Sequence, residues 1–284
     1  MTALQNKIDF AVVFEVKNAN PNGDPLNGNR PRTDYDGIGE VTDVCLKRKI
    51  RDRLLEQGHS IFVQSEDRKS DDATSLRDRA EKNLGKKLTR DETIQQASEK
   101  WLDVRAFGQL FAFSSKKKEE GSDGVSIGIR GPVTVQSAFS IAPVEVVSVQ
   151  ITKSVNGEDP KKAGGRTSDT MGMKHRVKHG VYVFYGAMNP QLAEKTGFSD
   201  QDAEAILEVL PRIFENDASS ARPEGTLQVL KAGYWKHTSK AGQYSSAKVH
   251  QTLKVRMDDL NPNGELELQV GQLDGLVFTE LPLF

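Results

Sequence analysis

Residues 8–16, IDFAVVFEV, place Ile8, Phe10, Val12, Phe14 and Val16 in alternation with Asp9, Ala11, Val13 and Glu15. A period of two sends successive side chains to opposite faces of an extended chain, so the run predicts a half-buried first β-strand. The next stretch constrains the fold further. Residues 16–31, VKNANPNGDPLNGNRP, hold five asparagines, three prolines and two glycines. A plain hairpin needs only two or three such residues. The surplus points to a loop with a task beyond reversing the chain.

Beyond the loop, Thr42 is placed to cap a helix with the body DVCLKRKIRDRLLEQ, in which Leu46, Ile50 and Leu54 stack at four-residue spacing and Gly58 supplies the stop. Lys47, Lys49, Arg51 and Arg53 flank that stripe, so the helix is expected to bury a narrow seam and show cations on both shoulders. Ser60 to Gln64 reads as a short second strand. From Ser65 to about Lys100 the chain is dominated by charge with helix-compatible pieces, a polar helical insertion. Strand-like alternation returns through Val125, Ile127 and Ile129 and again through Val147, Val149 and Ile151, the latter running to the turn signal Asn156-Gly157. A basic, glycine-rich stretch and the strand VYVFYGAM come next. This predicts a projecting arm of two strands with an exposed basic tip. Ser199 with Asp202 forms a capping box before Ile206, Leu207, Leu210, Ile213 and Phe214, and Pro211 should kink or divide that helix. Further strands are expected around 227–230, 249–257 and 266–270. The tetrapeptide Asn-Pro-Asn-Gly at 20–23 and 261–264 is repeated turn chemistry. The order suits an α+β fold with a mainly antiparallel sheet, for which a ferredoxin-like core with large insertions is one solution.

With 284 residues the chain is long enough for one large domain with a sizeable core. No apolar run approaches the ~20 residues of a membrane span, and the N-terminus lacks a signal-peptide layout, so a cytoplasmic protein without membrane contact is expected. Cys45 is the only cysteine, which excludes intramolecular disulfides and cysteine-based zinc sites. Net charge is −1, but it is segregated: Cys45 to Arg53 has five basic residues and one acid, Lys153 to His179 seven Lys or Arg against three acids, and Glu194 to Glu224 eight acids against three bases. Separate basic and acidic regions suit a polyanion on one face and protein partners on another, although each cluster alone also reads as an ordinary solvated face.

Conventional catalysis finds little support. Asp24, Asp34 and Asp36 could bind a metal ion or act as bases, yet such residues also serve turns. His175 and His179 have the i, i+4 spacing of a metal pair without an HExxH glutamate between them. No nucleophile elbow, Walker loop or dinucleotide fingerprint occurs. Nucleic-acid binding accounts for more. Arg30, Arg32, Lys47, Arg48, Lys49 and Arg51 can neutralise phosphates, and Asn18, Asn20 and Asn22 can bond phosphate or ribose oxygens. In the arm, Lys161, Lys162, Arg166, Lys174, His175 and Arg176 add positive or titratable groups, and Met171 and Met173 can wedge against unstacked bases. Tyr182 and Phe184 read as core.

The runs FEVKNANPNGDPLNGNRPRTD, GEVTDVCLKRKIRD, GIRGPVTVQSAFS and RTSDTMGMKHRVKHGVYVFYG closely resemble the backbone subunit of type I CRISPR interference complexes, in the type I-C (Dvulg) branch of the Cas-seven family. The resemblance spans essentially the whole chain. It implies an RNA-recognition-motif-like palm, a helical finger insertion at about 65–105 and a protruding β-hairpin thumb at about 148–178, all within 1–284. It further implies a protein without catalytic, metal or cofactor sites that polymerises with other copies of itself in a helical filament along a CRISPR guide RNA. Such a filament joins Cas-five-type and large Cascade subunits and presents the guide for pairing with target DNA, so binding must ignore spacer sequence. Related type III backbone subunits cut guide-paired RNA with a loop aspartate, which is the alternative reading.

Overall fold

The computed structural model describes residues 2–85, 88–112, 126–152, 171–257 and 266–283. In chain order the strands are β1 (Ile8–Ala19), β2 (Gly23–Asp24), β3 (Arg30–Pro31), β4 (Ile38–Val41), β5 (Gly108–Ala112), β6 (Ser126–Arg130), β7 (Val133–Val135), β8 (Ala138–Pro143), β9 (Val146–Thr152), β10 (Met171–Met188), β11 (Leu227–Lys236), β12 (Leu253–Met257), β13 (Leu266–Val270) and β14 (Phe278–Glu280). The helices are α1 (Asp43–Glu56), α2 (Leu76–Leu84), α3 (Arg90–Lys100), α4 (Leu102–Phe107), α5 (Pro190–Thr196), α6 (Asp200–Val209) and α7 (Ser246–His250).

Eight strands form one antiparallel sheet in the order β14-β11-β1-β10-β8-β4, with β7 and β9 also pairing with β10. The alternation of β1 explains its central position, but the strand is buried on both faces. Ile8, Phe10, Val12, Phe14 and Val16 pack with Leu46, Ile50 and Leu54 of α1 and Ile206 of α6 on one side. Ala11 and Val13 pack with Val181, Trp235, Val249 and Leu253 on the other. Asp9, which alternation assigns to solvent, is therefore fully buried. Tyr182 and Phe184 lie in the first of these cores, as expected, and Phe14 stacks on Tyr182 with ring centroids 5.3 Å apart.

The helix caps form where the side chains predict them. Thr42 Oγ1 accepts from Cys45 N at the start of α1, and Gly58, at φ +86°, follows its end. Ser199 and Asp202 form the capping box of α6, and the chain tightens to a 3₁₀ turn at Leu210–Arg212, so Pro211 ends the α-helix.

Two expected strands differ. Residues 60–64 are irregular, because the Asp103 carboxylate takes the N–H groups of Phe62 (2.7 Å) and Val63 (3.0 Å) that a ladder would have used. The run expected as a strand from 249 opens as the last residues of α7 and becomes β12 only at Leu253. The insertion has its own small core of Phe62, Ala97, Trp101, Val104, Phe111 and Ile127. Two partly buried ion pairs fix its base to the body: Arg51 Nε to Asp103 at 3.0 Å, and Arg105 to Asp202 at 2.7 Å. The second Asn-Pro-Asn-Gly and the Asn156-Gly157 turn lie outside the described residues. Among the described residues no helix is long and apolar enough to cross a membrane.

Candidate nucleic-acid interface

The loop after β1 uses its unusual composition first to hold itself. Asn18, Gly28 and Asn29 adopt φ of 52°, 58° and 58°, left-handed backbone that asparagine and glycine tolerate best. Asn20 is buried; its N–H reaches Ala221 O at 2.9 Å and its Nδ2 donates to Asn29 O at 2.7 Å. Asn22 Oδ1 accepts from both the N–H and the hydroxyl of Thr42, each at 2.9 Å, tying the loop to the cap of α1. Asn20 is thus a strut rather than an open hydrogen-bonding group. Asn18 is exposed, as are Asn27 and Asn29. The loop aspartates also serve turns: Asp24 Oδ1 accepts from Leu26 N at 3.2 Å, with Arg32 3.4 Å away, and Asp34 Oδ1 accepts from Asp36 N and Ile38 N.

The cations of α1 are more engaged than a helical wheel suggests. Lys47 pairs with Asp43 at 2.8 Å, and Arg48 bridges Asp52 and Asp217. Lys49 corrects the expectation of a surface cation: it is 1% exposed, bonded to Asp217 and set over the Phe214 ring. Arg51 is largely buried against Asp103 and Phe107. Burial alone would raise the Asp217 carboxyl, but the charges of Lys49 and Arg222 and the hydrogen bonds from Lys49 and Arg48 outweigh it and hold the group below the usual carboxylate range.

Above this network lies a groove of about 570 Å³. Pro21, Asn22, Gly23 and Asn29 of the loop form one wall, Thr42, Val44 and Cys45 at the start of α1 another, and Arg48, Arg68 and Arg222 line it together with the acids Asp67 and Asp217. In the ion-pair network, five cations, Arg48, Lys49, Arg53, Arg68 and Arg222, share three carboxylates, Asp52, Glu56 and Asp217. The excess positive charge adds to the partial charge at the helix N-terminus, a combination that attracts phosphate. Neither Arg68 nor Arg222 stands out in the sequence. Arg68 sits in a charge-dense insertion, and Arg222 lies in the acidic stretch, where only the fold brings it to Asp217.

The expected arm is seen at its root, where β9 pairs with residues 171–177 of β10. Met171 and Met173 are 66% and 55% exposed and share a face with His175. Lys174 and Arg176 lie on the other face; Lys174 has no ion pair among the described residues, and Arg176 Nε is buried without a hydrogen-bond partner. His175 and His179 fall on a strand, where four residues span ~13 Å, too far to share one ion. His179 Nε2 instead lies 2.8 Å from Glu15 Oε1. Arg30 turns toward the arm, with Nη1 3.0 Å from Ser148 Oγ and 3.4 Å from His175 Nδ1. Lys161, Lys162 and Arg166 lie outside the described residues. The fold therefore gathers the loop, the start of α1 and the root of the arm at one end of β1.

The family model described as "CRISPR-associated protein Cas7" matches residues 6–268. A CRISPR-associated protein Cas7 of Haloferax volcanii is 30% identical over 236 residues, covering 78% of this chain and 67% of that protein. Among solved structures, a chain of a "CRISPR RNA-guided surveillance complex, pre-nicking" aligns with 81% of this chain and 75% of its own at 18% identity and TM-score 0.48. A chain of a Type III-B Cmr-beta complex bound to cognate target RNA aligns with 84% of this chain and 62% of its own at 11% identity and TM-score 0.39. With the family model covering all but the ends, and a relative at this identity over most of its length, the chain belongs to the Cas7 family of CRISPR-associated proteins.

Proposed function

We propose that this protein is the guide-RNA-binding backbone subunit of a type I-C Cascade, a non-catalytic scaffold that assembles with further copies of itself along the guide and with Cas-five-type and large subunits. The observation that carries the reading is the groove in which the Asn/Pro/Gly loop, the start of α1 and three arginines meet. Its groups suit sugar and phosphate oxygens, and they read no base, as a protein that must hold every spacer requires.

Family membership supports the same reading, and so does the topology. The central path β11-β1-β10-β8, with α1 following the first strand and α6 preceding β11, suits an RNA-recognition-motif-type palm. On this reading α2 to α4 are the finger, the β9–β10 ribbon is the thumb, and Met171 and Met173 meet the bases the thumb displaces. The non-catalytic assignment is favoured by the occupation of Asp24 and Asp34 in turn hydrogen bonds.

Replacing Lys174 and Arg176 together by glutamine is expected to weaken binding to single-stranded RNAs of unrelated sequence by the same factor. It should also make the dependence of log K on log salt shallower by ~0.7 for each phosphate no longer neutralised. Fluorescence anisotropy across a salt series reads both. An unchanged slope would show that these cations are solvated and touch no phosphate.

A further inference from the structure

The arm is tied to the body at two levels. At its root Val144 N donates to Gly37 O (2.9 Å), beside the Glu145–Lys178 pair (3.0 Å) that joins the arm's own two strands. Farther out, Arg30 is the outermost tie among the described residues: its guanidinium, carried on β3 of the Asn/Pro/Gly loop, reaches Ser148 Oγ on β9 and His175 Nδ1 on β10. The Ser148 hydroxyl completes the set, accepting from Arg30 and lying 2.8 Å from His175 Nδ1. Beyond this point Val149, Ile151, Met171 and Met173 are all more than 40% exposed. Beneath the tie is a polar cavity of about 330 Å³, lined by Asp24, Arg30, Arg32, Glu40, Val144 and Val146, so the root of the arm does not rest on packed side chains there.

We propose that Arg30 is a latch: in the free protein it holds the arm through Ser148 and His175, and a guide phosphate draws it away and frees the arm. The energetics favour the exchange. The latch pairs the arginine with a hydroxyl oxygen and a ring nitrogen, whereas a phosphate offers an anionic oxygen, and hydrogen bonds with an ionised acceptor are the stronger kind. Arginine also fits phosphate with two parallel N–H groups. RNA that runs from the groove past Asn29 to the neighbouring Arg30 thereby changes the arm's freedom through one side chain, without any rearrangement of the core. Arg30 is then a positioning residue as well as a contact, and the release step rests on the RNA-binding reading.

Labels attached at Ile151→Cys on the arm and Val277→Cys on the body, in a Cys45→Ser background of the full chain, report the arm's distance distribution by electron-electron resonance. Without RNA, the parent should give one narrow distribution, Arg30→Ala one broader by about twofold, and Arg30→Lys, which keeps a single donor group, an intermediate one. Adding poly-uridine RNA should move the parent toward the Arg30→Ala distribution and leave Arg30→Ala unchanged. A parent and Arg30→Ala of equal width without RNA overturn the latch. A parent distribution that stays the same while anisotropy shows RNA bound overturns the release. Failure of the RNA to bind at all overturns the functional reading and the release with it, while the comparison without RNA still decides the latch.

Discussion

Asp217→Ala is expected to lower folding stability by ~3–5 kcal/mol, because it leaves a lysine buried without its counter-charge. Lys49 is 1% exposed, and Asp217 is its only hydrogen-bond acceptor among the described residues. Lys49→Met should cost less than ~2 kcal/mol, since the methionine fills the same space and Asp217 keeps Arg48 and Arg222. Urea denaturation followed by circular dichroism measures both. The asymmetry is the informative part: a surface pair would give less than ~1 kcal/mol for either change. Charge reversal at Lys49 or Arg51 accordingly tests folding, and an RNA-binding defect in either variant would not identify a contact.

Asp9→Asn should remove about 2 kcal/mol at neutral pH, and the difference from the parent should vanish in acid. Burial alone would raise the Asp9 carboxyl, but the hydrogen bond from His237, the His250 ring nitrogen 3.4 Å from Oδ1 and the charge of Lys7 at 3.2 Å outweigh it and hold the group at about 2, below its ordinary value of 3.8. His237 Nδ1 accepts from Gln243 N at 2.9 Å, so its Nε2 carries the proton donated to Asp9 Oδ2 at 2.8 Å. A carboxyl depressed on folding stabilises the native state fully above its unfolded value and loses that contribution as pH falls toward the folded one. The window is therefore from about pH 4 to about pH 2. Thermal unfolding of parent and variant across that range should converge at the acid end. A constant offset would mean that shape, not charge, supports Asp9. The cluster joins β1 to the end of β11 and to α7, with the His250 ring stacked on Tyr185 at 4.7 Å.

Asp9 and Asp217 with its partner Lys49 mark where sequence reasoning stops. Local signals are legible: the alternation of β1, the Thr42 cap, the Leu46, Ile50 and Leu54 stripe, and the capping box at Ser199 each depend on neighbours within a few residues. Asp9 and Lys49 look like solvent-facing positions by the same rules. Their burial is imposed by His237, His250, Phe214 and Asp217, well over a hundred residues away in sequence, and no periodicity reports it. The loop divides the same way. Its asparagines are visible, but that Asn20 props the loop from inside while Asn18 faces solvent depends on Ala221 and Asn29. Arg68 and Arg222 join the groove only through the fold. The helical spacing of His175 and His179 has no meaning once β10 makes the segment extended.

If this chain exists to hold guide RNA in an assembly, the RNA should come with it from the cell. The decisive measurement is purification of the full chain after co-expression with a CRISPR array, followed by extraction of nucleic acid and sizing of the particle. The expected product is RNA of guide length, of any spacer sequence, bound to a multimer of the protein. A monomer that purifies free of RNA would contradict the proposed role.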